Sequence, residues 1–149
     1  GALSASAARR TLSLRDASAR GEGTGTGASS TIRLGSDAAA NGPAVRSALI
    51  GAISREVKPH WQGKVPQGVD TEKLVTVLAW ELNQDGSLAG APRVVRQDGI
   101  TEGNRPQAAR HAEQAIRSVQ LAAPFDLPAE YYSGWRRITE FRFDKRLAQ

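Results

Sequence analysis

Cysteine and methionine are both absent from the 149 residues. Without Cys there is no disulfide framework, no thiolate metal site and no cysteine nucleophile, and bonds do not report the redox compartment. A natural chain starts with Met, so Gly1 reads as the first residue of a cut or processed fragment. Long apolar runs are missing too. None approaches the ~18 residues of a membrane span, and Ala2–Ala8 is too small and polar for a signal-peptide core, so any anchor is expected to have been removed. Histidine is reduced to His60 and His111, with no acidic or hydroxyl partner at motif spacing. Both read as surface or helix-end side chains rather than bases. No H-E-x-x-H, G-x-S-x-G or Walker pattern occurs. The carboxylates Glu72, Glu81, Asp85 and Asp98 fall in turns or beside basic residues. No enzyme is expected, and no cofactor or metal.

Two short runs imitate ligand loops. Gly21-Glu-Gly-Thr-Gly-Thr-Gly27 lacks the following Lys-Ser or Lys-Thr, the preceding strand and the departing helix of a phosphate loop. Asn83-Gln-Asp-Gly-Ser87 opens like a calcium loop, but the oxygen ligands stop there and no Glu closes it. It reads as a turn. The net charge of +5 and pI of about 10.2 raise nucleic acid or anionic lipid as partners. The basic residues are interspersed with acidic ones, the densest pairs being Arg9-Arg10, Arg136-Arg137 and Lys145-Arg146, so nucleic-acid binding is the less favoured reading.

What is present divides the chain at about Pro43. Residues 1–42 hold much of the Gly and Ser and little large apolar area to offset the entropy of ordering, which predicts a flexible linker. Thr11-Leu-Ser-Leu-Arg15 and Ser30-Thr-Ile-Arg-Leu34 alternate, and would become strands if a sheet edge were offered. Pro43 suits the first position of a helix capped by Asn41 or Gly42. Val45, Leu49, Ile53, Val57 and Trp61 continue it as one stripe, with an end or kink expected at Pro59. Lys73 to Leu82 reads as a strand with Leu74, Thr76, Leu78, Trp80 and Leu82 inward. Asp85-Gly86 turns it, and Ser87 to Arg96 returns as a second strand, marked by Pro92 as marginal to the sheet. Pro106 opens a second helix with Ala109, Ala112, Ala115, Ile116 and Val119 inside. After an irregular segment plugged by Phe125, Leu127, Tyr131, Tyr132 and Trp135, Arg137 to Phe143 alternates as a third strand. Strict alternation puts Thr139, Phe141 and Phe143 on one face and Ile138, Glu140 and Arg142 on the other.

The expected fold is therefore α+β and two-layered. A three-stranded antiparallel sheet has helices on one face, in the order α-β-β-α-β, over residues 43–146, behind a flexible tail. Its core is expected to hold Leu49, Ile53, Trp61, Leu78, Trp80, Leu82, Ile116, Phe125 and Trp135. The third strand, with its outer rail unpaired, is a template for strand addition unless its charges only protect it; Ser30–Leu34 folding back onto that edge is the alternative.

These residues resemble a known family. The helix ending at Trp61, the Leu82-Asn-Gln-Asp-Gly-Ser-Leu-Ala-Gly-Ala-Pro hairpin, the Ala-rich helix and Ala123-Pro-Phe-Asp-Leu-Pro-Ala-Glu-Tyr-Tyr-Ser-Gly-Trp135, leading to Phe141-Arg-Phe-Asp144, look like the C-terminal domain of TolA in the TolA/TonB superfamily. The Pro-Phe-x-Leu-Pro-x-x-Tyr-x-x-Trp pattern is the specific part. The resemblance implies a periplasmic interaction domain of an inner-membrane energy transducer in the Tol-Pal system, with residues 1–42 ending its spacer. The implied partners are TolB and Pal, with colicins or filamentous phage coat protein in some hosts, and TolQ and TolR through a missing N-terminal helix. The implied docking strand is Ile138, Thr139, Glu140, Phe141, Arg142 and Phe143. In the rival TonB branch that edge takes the box peptide of outer-membrane receptors. Related sequences often carry a cysteine pair at the places of His60 and Ala122, so that disulfide does not carry over.

Overall fold

The computed structural model describes residues 32–149. The expected strand at Thr11–Arg15 and most of the expected linker lie outside them. Within the described residues there is structure ahead of Pro43, strand β1 (Ile32–Leu34) and a 3-10 turn at Ser36–Ala40. Helix α1 (Pro43–Trp61) follows, with Gly42 as its N-cap. Then come β2 (Val75–Glu81), β3 (Arg93–Asp98), α2 (Arg105–Ala122), the single turn α3 (Tyr132–Trp135) and β4 (Arg137–Phe143).

The sheet has four antiparallel strands in the order β1-β4-β2-β3, with three helices. This corrects the three-stranded α-β-β-α-β arrangement. Ile32–Leu34 has too little apolar surface to fold alone, but β4 supplies the ladder partners it lacks. Pairing runs Ile32 to Phe141, Arg33 to Glu140 and Leu34 to Ile138. The third expected strand is therefore internal, and among the described residues β1 and β3 are the sheet edges.

Irregular pairing accounts for two further differences. In β4, Phe141 faces Leu78 and Ile138 faces Trp80, so the extra residue at Thr139-Glu140 breaks the two-residue period. Ile138, Phe141 and Phe143 all turn inward and are buried, whereas alternation had placed Ile138 outside. In the returning strand, Leu88 makes only an isolated bridge to Leu82. Gly90 and Pro92 interrupt the ladder, which resumes at Arg93 and extends to Asp98.

The core gathers α1, α2 and the inward sheet residues in one cluster. Leu49, Ile53, Trp61, Leu78, Trp80, Leu82, Phe125 and Trp135 are all buried there, and Ile116 packs against it half-buried. The buried face of α2 is Ala108, His111, Ala115, Ser118 and Val119, turned from the expected stripe so that Ala109 is exposed. Alanine is too weakly apolar to orient a helix; the hydrogen bonds of the His111 and Ser118 side chains accompany the observed face. Helix α1 passes through Pro59 to Trp61, because the loss falls in the last turn, where the Gln62 amide still reaches the Lys58 carbonyl at 3.0 Å.

The opposite sheet face is also dry at its centre. Val77 is 1% exposed and is flanked in register by Arg96 and Arg142. Long arginine stems can cover such a residue while their heads stay in water.

Candidate functional site

β4 is where the expected docking residues meet, and their side chains divide three ways. Ile138, Phe141 and Phe143 are core residues, with the Phe141 and Phe143 rings 4.9 Å apart. Glu140 lies on the outer face between two guanidinium groups. Arg96 Nη1 donates to it at 3.1 Å, and Arg33 Nε stands 3.8 Å away. Arg142 donates through Nε to Asp144 at 2.9 Å. The Thr139 hydroxyl, displaced sideways by the bulge, donates to the Arg33 carbonyl at 3.1 Å.

The chain's own β1 covers the outer rail of β4 from Ile138 to Phe141. The Gly35 amide continues the contact to the Arg137 carbonyl at 2.8 Å. Behind β1 the 3-10 turn is held by two polar contacts across to α3 and its C-terminal neighbour. Asp37 lies 3.6 Å from Arg136, and Asn41 Nδ2 donates to Ser133 Oγ at 3.3 Å. A groove of about 410 Å³ separates this segment from the start of α1, between Leu34 and Ala38 on one side and Arg46 and Ile50 on the other. The segment is thus fastened to β4 and α3 more closely than to α1.

The irregular region after α2 also has a role in this geometry. Tyr132 donates its hydroxyl to the Leu82 carbonyl at 2.6 Å, and Trp135 Nε1 donates to the Pro128 carbonyl at 2.7 Å. These two of the expected plugs are anchored by their polar tips, which sets where β4 begins.

His111, expected as a surface or helix-end side chain, is instead fully buried. Its Nδ1 lies 2.7 Å from Thr76 Oγ1, which also accepts from Gln97 Nε2 at 3.0 Å, and the ring meets Trp61 edge-on at 4.9 Å. Burial pulls its pKa down to about 4, against a smaller opposing pull from Asp144. The spacing that could have exposed this is i, i+4 with Ala115, one residue off the assumed alanine stripe.

A stability consequence follows from that burial. Above pH 6.5 the imidazole is neutral in both folded and unfolded chains. As pH falls from 6.5 towards 4, the unfolded chain takes up a proton that the native fold refuses, and stability declines. Between pH 7.5 and 4.5 the loss from this residue is expected to be about 2 kcal/mol. Subtracting the unfolding free energy of His111→Gln at each pH cancels the other titrating groups, and the difference should shrink by that amount on acidification. A difference that stays flat would place the proton elsewhere.

Among the described residues no three His, Cys, Asp or Glu side chains gather as a metal site, and no helix is long and apolar enough to cross a membrane. No family model, curated protein or solved structure matches this chain. The fold defines the class: an α+β domain whose four-stranded antiparallel sheet has a short strand added at one edge.

Proposed function

We propose that this domain is a periplasmic protein-interaction module of the TolA type, which takes an extended segment of TolB, and through it Pal, as a strand along β4. It transmits force between envelope layers and does no catalysis. One observation carries the reading: the rail of β4 holds an extended segment brought from about a hundred residues away in the chain, the Thr139 hydroxyl reaching across 106 positions to Arg33. Strand addition draws its affinity from main-chain hydrogen bonds and its selectivity from neighbouring side chains. The bulge at Thr139 and the charge of Glu140 would supply the second part. The Pro-Phe-x-Leu-Pro-x-x-Tyr-x-x-Trp segment supports the TolA branch over the TonB branch.

The test is an amide NMR titration of the full chain with the N-terminal peptide of the cognate TolB. Shifts are expected in residues 137–143 and in 32–35, as the incoming strand replaces β1. Thr139→Pro, which removes an amide from that strand, is expected to weaken binding at least tenfold while the variant stays folded. Undiminished binding by a folded Thr139→Pro variant, or a response to a receptor box peptide alone, would overturn the assignment.

A further inference from the structure

β1 is a strand that nothing in the hairpin or helices requires, and its side chains read as a template for what the rail accepts. Ile32 is 5% exposed and enters the core opposite Phe141. Arg33 points outward beside Glu140, and Leu34 packs half-buried against the core. The occupied positions thus run aliphatic, basic, aliphatic in an antiparallel direction, and the irregularity between Arg33 and Leu34 matches the bulge in β4. Gly35 follows because the chain passes close to Arg137 there. A Cβ on Gly35 would stand 3.0 Å from the Cβ of Arg137.

Only three residues pair, and a groove lies between the segment and the start of α1. Its other ties are Ile32 in the core, the Gly35 amide on the Arg137 carbonyl, the Thr139 hydroxyl on the Arg33 carbonyl, the exposed Asp37 to Arg136 contact and the Asn41 to Ser133 hydrogen bond. So short a strand depends on its covalent attachment as well as on these contacts. Tethering gives it an effective concentration on the order of millimolar, so a free peptide must exceed that to replace it.

From this we propose that residues Ile32 to Asn41 act as an internal occupant of the β4 rail, and that the partner strand it excludes carries an aliphatic-basic-aliphatic triplet pairing antiparallel with residues 138–141. The inference rests on the strand-addition reading above and adds to it the partner's chemistry and its control. Glu140 selects the basic residue. The inward pocket beside Phe141 selects the first aliphatic one.

The probe is the octapeptide Ser-Ser-Thr-Ile-Arg-Leu-Gly-Ser, copying residues 29–36, added to the full chain and followed by amide NMR. In Ile32→Ser/Leu34→Ser, which weakens the internal strand and leaves β4 intact, the peptide is expected to bind at least tenfold more tightly than to the wild type. The shifts should fall at residues 137–141. A peptide with Glu in place of Arg should bind the same variant at least threefold more weakly. Equal affinity for wild type and variant, or indifference to the Arg-to-Glu change, would overturn the proposal. So would a dimer of the variant that shows those shifts without peptide, because the rail would then belong to a second copy.

Should the double Ser variant fail to fold, Leu34→Ser alone supplies the same answer, since Leu34 is only half-buried and Glu140 stays in place. The octapeptide should bind it at least threefold more tightly than it binds the wild type. Equal affinity for the two counts against the inference. The two levels separate cleanly. Binding of the octapeptide without any response to the TolB peptide sinks the TolA assignment alone, and a TolB peptide that binds wild type and released variant equally sinks the internal occupant alone.

Discussion

Trp61→Ala is expected to destabilise the domain by about 3–5 kcal/mol, the usual cost of emptying a fully buried aromatic site. Trp61 is 0% exposed at the end of α1, and its neighbours come from two other parts of the chain, α2 and the end of β4. His111 of α2 lies edge-on at 4.9 Å, Phe143 of β4 at 5.1 Å, and the indole Nε1 donates to the Asp144 carbonyl at 2.9 Å. Removing the ring opens a cavity between α1, α2 and β4 and leaves that carbonyl without its donor. Since small domains have only about 5–15 kcal/mol in total, the loss should lower the midpoint of thermal unfolding by on the order of 10–20 °C. Trp61→Phe separates the two contributions. It keeps a ring in the site and loses the hydrogen bond, and about 1–3 kcal/mol of the cost should remain. Hydrogen exchange at the amides after Phe143 should accelerate in both variants, because Gln62 next to Trp61 also holds this segment through the Ala148 carbonyl at 3.2 Å. A Trp61→Ala variant that melts with the wild type would show that the site collapses without loss.

Gly86→Ala is expected to be nearly as damaging, at roughly 3 kcal/mol, by adding a steric clash to backbone strain. Gly86 closes the β2 turn with φ at 86°, a region unfavourable to any residue with a side chain. A Cβ there would also stand 2.0 Å from the Phe125 carbonyl oxygen, which no rotation can relieve. The two segments are joined as well, the Phe125 amide donating to the Gly86 carbonyl at 2.8 Å. Alanine must therefore push the turn off the strap that carries Phe125 and loosen the stack of that ring on Trp80, now 6.1 Å between centroids. Gly63→Ala is the control. Its φ is 74° but nothing lies within 4 Å of the added Cβ, so it should cost only the conformational part, about 1 kcal/mol. The difference between the two variants in urea unfolding measures the turn-to-strap contact. Equal losses would mean that the strap yields freely.

How far the site was legible in the sequence can be judged residue by residue. The alternation of Arg137 to Phe143 marked β4, but not the bulge, because an extra residue leaves no compositional trace and is defined only by what lies opposite. Pro92 marked the marginal strand, and β3 is an edge. Helix α2 was legible as a helix and illegible as a face: a run of alanines has no strong side, so His111 paired with Thr76, and Ser118 bonded to the His60 carbonyl at 3.1 Å, were missed. Asn104 carries no such signal for a different reason. Fully buried between two loops, it donates to the Asp70 and Gly99 carbonyls at 2.9 Å, partners that are non-local or irregular and have no sequence signal.

Helices α1 and α2, strands β2 and β4, and the burial of Leu49, Trp61, Trp80 and Trp135 follow from periodicity, turn chemistry and apolar volume, all of which act within a few residues of chain. Tertiary structure decided what those local rules do not contain. The segment Ile32–Leu34 is a strand only because β4 offers it a ladder across a hundred residues, and β4 is internal only because that segment is there. A three-residue strand has too few contacts of its own to declare itself, whereas a rail of unpaired amides beside a hydrophobic core gives it both hydrogen-bond partners and a place for Ile32.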